Sequence, residues 1–145
     1  MNPSRSILVS TCPLLLLFCS QAQAHTQLGA LGLSATATDI YQASCLDDGN
    51  GPPHHLTTQI MDMAPVAAPV ITLTVSKDGK TKSTFDPRDG DSQYSPALTV
   101  EAGAGNYLLT VTKSAVGKES YMLQYHCITA NNVHTGLTLI KKQDQ

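Results

Sequence analysis

Apolar and polar residues alternate with a period of two over most of this chain, the spacing of half-buried strands and not of helices. In Tyr41-Gln42-Ala43-Ser44-Cys45 one parity carries Tyr41, Ala43 and Cys45, and the other carries Gln42 and Ser44. In residues 121–127 one parity carries Tyr121, Leu123, Tyr125 and Cys127, and the other carries Gln124 and His126. The same reading predicts strands near 36–45, 55–62, 70–77, 81–86, 97–101, 106–113, 119–128 and 134–140. Turn-forming residues separate them: Asp47 to Pro53, Lys77-Asp78-Gly79-Lys80, Asp86 to Asp91, Gly103 to Asn106, and Asn131-Asn132. Asp78-Gly79 between two alternating runs is the sharpest hairpin signal. About eight short strands with these breaks predict an all-β, antiparallel, jelly-roll-like β-sandwich. Pro65 and Pro69 bar the intervening segment from the middle of a sheet and predict a crossing or an edge.

The N-terminal residues break the alternation. Arg5, an apolar run from Ile7 to Phe18 and the small-x-small triplet Ala22-Gln23-Ala24 have the layout of a secretory signal peptide. Cleavage after Ala24 is expected, so residues 1–24 are the signal and residues 25–145 form one domain starting at His25. Cys19 follows bulky Phe18 and Cys12 lies early in the apolar run, so a lipid anchor is not expected. The segment from His25 to Leu33 reads as an arm or a short edge strand. After the signal no apolar run approaches the roughly 20 residues of a membrane span. The expected destination is the periplasm or the extracellular medium.

Export changes the reading of the cysteines. Cys45 and Cys127 remain after cleavage, both on the apolar parity of their strands, and an oxidising compartment favours a disulfide between them. Without Arg5 the 9 Lys and Arg fall by one against 11 Asp and Glu, scattered along the chain. A nucleic-acid partner, which calls for a basic face, is not expected.

Gly105-Asn106-Tyr107-Leu108-Leu109-Thr110-Val111, followed by Ser120-Tyr121-Met122-Leu123-Gln124-Tyr125, resembles the paired end strands of bacterial pre-peptidase C-terminal domains. Asp39-Ile40-Tyr41-Gln42 is similar to their Asp-x-Tyr opening strand. The resemblance spans roughly residues 38 to 128. It implies a jelly-roll sandwich of the kind appended to secreted enzymes. Two departures stand out: this domain has no enzyme beside it in the chain, and the cysteine pair is foreign to that pattern.

Motifs of catalysis are missing: there is no G-x-S-x-G, no H-E-x-x-H, no phosphate-cradling glycine loop and no carboxylate pair in an apolar setting. An enzyme is therefore not expected. Histidine carries the remaining chemistry, since all five, His25, His54, His55, His126 and His134, follow the signal. A processed His25 would offer its α-amino group and Nδ1 to one copper ion, an arrangement similar to the histidine brace of secreted copper proteins. Imidazole suits copper, and His126, outward on its strand, or His134, opening the last strand, would supply a second ring. His54-His55 reads as an exposed loop pair. Met61 and Met63 share one face of their strand as edge packing or as thioether ligands for cuprous ion. Asp86, Asp89 and Asp91 offer carboxylates for calcium, although the turn lacks EF-hand spacing.

The sequence thus supports an exported, non-catalytic β-sandwich that binds a protein partner or small ligand. The competing readings are a periplasmic copper-binding protein using His25 with a second histidine, and a stand-alone accessory subunit of a secreted enzyme.

Overall fold

The computed structural model describes residues 25–66 and 69–145; the expected signal peptide lies outside the described residues. Where the alternation was strong the chain forms β2 (Asp39–Leu46), β3 (Pro53–Met63), β4 (Ile71–Lys77), β5 (Lys80–Phe85), β6 (Leu98–Val100), β7 (Gly105–Lys113), β8 (Glu119–Thr129) and β9 (Gly136–Gln143). The segment left open between arm and edge strand forms β1 (His25–Leu31), making nine strands among the described residues.

Two antiparallel sheets result, one in the order β1-β8-β3-β6 and the other in the order β5-β4-β7-β2-β9. Apart from the β4–β5 hairpin, successive strands up to β8 cross from one sheet to the other. This connectivity is that of a jelly-roll sandwich, with β9 added beside β2. At the hairpin Asp78 and Gly79 both take positive φ, 50° and 77°, as a type I′ turn requires. The proline-bearing connection from β3 to β4 crosses between sheets, as Pro65 and Pro69 predicted. β7 and β8 lie in opposite sheets and do not pair with each other.

Inward parity builds the core. Tyr41, Tyr107 and Tyr121 are its largest fully buried side chains. The Tyr41 and Tyr121 hydroxyls meet across the two sheets at 2.6 Å, and Tyr121 also donates to buried Asp39. Asp39 is completed by the Gln145 amide at 2.8 Å and the Lys141 ammonium at 3.2 Å, so a buried carboxylate is fully partnered. Cys45 on β2 and Cys127 on β8 lie at disulfide-bonding distance, with Cα atoms 5.6 Å apart. No helix among the described residues is long and apolar enough to cross a membrane.

Candidate metal centre

β8 is central to its sheet, and its flank facing β1 has two successive partners. β1 pairs with it from Leu31↔Glu119 as far as His25↔Tyr125. Beyond that point the chain entering β9 takes over, with Thr135 N–H donating to the Cys127 carbonyl at 3.0 Å and His134 bridged to Ile128. His126 sits at the junction between these partners. The first residue of β1 and the return before β9 therefore bring His25 and His134 to either side of it.

The ring centres of His126 and His134 are 4.7 Å apart, and those of His25 and His126 are 6.3 Å apart. A metal–nitrogen bond of about 2 Å, plus about 1 Å to the ring centre, limits two imidazoles on one ion to centroids roughly 6 Å apart. The first pair lies well inside that reach and the second stands at its limit. Nδ1 of both His25 and His126 is shielded from solvent without a hydrogen-bond partner. Burial, then the neighbouring His134 and His25, push His126 below the usual histidine range. Its ring is thereby held in the neutral form that metals bind.

His134 precedes the last strand instead of opening it, because the Asn131-Asn132 turn leaves it bridged to β8, and β9 begins at Gly136. On the opposite flank of β8, His55 pairs with the same Ile128. Its ring contacts His54, Nδ1 to Nδ1 at 3.1 Å, and burial, followed by His54, lowers its pKa. All five histidines thus gather at one end of the four-stranded sheet. Met61 stands opposite Met122, and Met122 accepts a hydrogen bond from the Tyr94 hydroxyl at 3.1 Å. Met122 and His126 are four positions apart along β8, about 13 Å, so these thioethers lie away from the imidazoles.

The three aspartates read as one calcium loop go separate ways. Asp86 accepts from the Asp62 amide at 2.9 Å and the Arg88 amide at 3.1 Å, and Asp91 accepts from the Gln93 amide at 2.9 Å. The bonds to Arg88 and Gln93 stabilise turns, and the bond from Asp62 ties Asp86 to β3. Asp89 instead approaches two carboxylates absent from the sequence reading, Asp62 and Glu119, both 1% exposed. This corrects the expectation that no carboxylate pair occupies an apolar setting. Asp62 follows Leu56, Thr58 and Ile60 on the inward parity of β3, and Glu119 precedes Tyr121 and Leu123 on that of β8. An acid on an inward parity was the signal that would have found them.

No protein-family model matches the chain, and no curated protein is similar to it.

Proposed function

We propose that this chain is an exported β-sandwich that binds copper through His25, His126 and His134. The supporting observation is the close approach of the His126 and His134 rings, with His25 at the limit of reach from His126, and the buried, unpartnered Nδ1 atoms of His25 and His126. A neutral, nitrogen-rich set suits cupric ion. Cleavage after Ala24 would add the α-amino group of His25 to it. The sandwich contributes rigidity: β8 is paired on both flanks and tied to the other sheet beside the site through Cys127.

The test is calorimetric titration of cupric ion into protein whose N-terminal mass shows His25 as the first residue. One tight equivalent is expected, weakened sharply by one added residue before His25 and by His126→Ala. Affinity indifferent to both changes would overturn the reading.

Partner binding keeps one observation of its own. On the outer face of the five-stranded sheet Leu108 and Ile140 flank Gln42 across three strands, and both are exposed. An accessory subunit would use such a patch against its enzyme.

A further inference from the structure

The Asp62↔Tyr121 register makes Asp62 and Glu119 diagonal neighbours on the inner face where β3 and β8 pair. Asp89 reaches the same point from the connection between β5 and β6, anchored where the Gly90 amide donates to the Asp62 carbonyl at 3.2 Å. One carboxylate oxygen from each of the three lies within 4.8 Å of the others. Two oxygens on one calcium ion, each about 2.4 Å from it, are separated by no more than about 4.8 Å.

Hydrogen bonds leave this cluster incomplete. Asp62 Oδ2 accepts from the Ile71 amide at 3.3 Å, but Asp62 Oδ1 and both oxygens of Glu119 are sealed from solvent without a hydrogen-bond donor. The nearest buried cation, Lys113, donates to the carbonyls of Gly32 and Gly117. Ionised carboxylates shut away from water and from donors are strongly unfavourable. Burial, then Asp89 and Glu119, accordingly push Asp62 up to about 7, and burial with Asp89 raises Glu119 against the opposing effect of Lys113. Either protons or a cation must offset the crowded charge. An opening of about 120 Å³ lined by Asp62, Met63, Ala64, Gly90, Asp91 and Ser92 lies beside the cluster.

We propose that Asp62, Asp89 and Glu119 bind one hard divalent cation, calcium before others, which clamps the β5–β6 connection onto the paired strands β3 and β8. The donor set is all oxygen, which selects calcium or magnesium over copper and zinc. Calcium's larger and more flexible shell suits ligands drawn from two strands and a turn, with water completing it. The site stands at the far end of β8 from His126 and does not depend on the copper reading.

Calorimetry and thermal unfolding of the chain from His25, in chelator and then in calcium chloride, test the proposal. One equivalent binding with a Kd on the order of 10⁻³ M or tighter is expected, with a melting temperature that rises with calcium concentration. Glu119→Gln, which keeps shape and removes charge, should weaken binding by at least about 10-fold, as should the more exposed Asp89→Asn. His126→Ala should leave calcium affinity unchanged, separating this site from the histidines. Absence of heat and of any melting shift up to about 10 mM calcium, or binding that survives both carboxylate variants, would overturn it. In that case protons hold the cluster, and Glu119→Gln should stabilise the metal-free chain.

Discussion

Cys45 on β2 and Cys127 on β8 tie the two sheets together, with their Cα atoms 5.6 Å apart and 82 positions apart in sequence. A link closing so long a loop removes much of the freedom of the unfolded chain, worth about 4 to 5 kcal/mol on the loop-entropy account. That is a large share of the stability of a domain this size. The double variant Cys45→Ser/Cys127→Ser should therefore lose about that much in urea unfolding. Because Cys127 adjoins His126 and accepts from the Thr135 amide, the same variant should also bind copper more weakly. Unchanged affinity would show that the histidine end is ordered without the bridge.

His134 and His55 both lie opposite Ile128, one on each flank of β8, yet only His134 reaches the His126 ring. His134→Ala should weaken copper binding by about 10-fold or more and reduce the nitrogen hyperfine lines in the cupric EPR spectrum. His55→Ala should change neither. Equal losses from both would move the metal to the far flank.

β1 depends on a missing side chain. Gly29 lies opposite Tyr121, and a Cβ placed there would clash with the hydroxyl end of the Tyr121 side chain. That ring cannot move freely, since its hydroxyl joins Tyr41 and Asp39. Gly29→Ala should cost about 1 to 3 kcal/mol as overpacking and loosen β1, so hydrogen exchange should quicken selectively at residues 25–31. Because β1 carries His25, copper affinity should fall with it.

The same contact explains what the sequence revealed and what it hid. Strands β2, β3, β4, β6, β7 and β8 were legible because each buries one face, and burial writes period two into residue types, as in Tyr121-x-Leu123-x-Tyr125-x-Cys127, whereas β5, exposed except at Thr84, followed from the Asp78-Gly79 turn. β1 was ambiguous because its inward positions are His25, Gln27, Gly29 and Leu31, of which only Leu31 is a large apolar residue. The inward parity of Cys45 and Cys127 brought them together once the two strands were placed in facing sheets. The histidine cluster needed more, since it arises where β1 ends and another segment takes over the flank of β8. That handover is a property of tertiary path and leaves no mark on local spacing. Asp62 and Glu119 were visible in principle, as acids on inward parities; their convergence with Asp89 required the β5–β6 connection to fold back.

Alkaline pH should unfold the protein cooperatively. Tyr41, Tyr107, Tyr121 and Tyr125 are all buried, and burial is the first cause raising each phenol above its usual range. At Tyr121 the hydrogen bonds to Asp39 and Tyr41 raise it further. In the unfolded chain these groups ionise near pH 10, so above that pH the unfolded state holds fewer protons than the folded one. The stability contributed by the neutral phenols is complete below about pH 10 and falls as pH rises. Each phenol still protonated in the fold subtracts up to about 1.4 kcal/mol per pH unit. Four together exhaust a stability of roughly 5 to 15 kcal/mol within a few pH units. Absorbance at the tyrosinate band should consequently rise in one steep step that coincides with loss of the β-sheet circular dichroism signal. A gradual rise with the sheet signal intact would mean that the phenols ionise in place, and that the hydroxyl contact between Tyr41 and Tyr121 does not hold the sheets together.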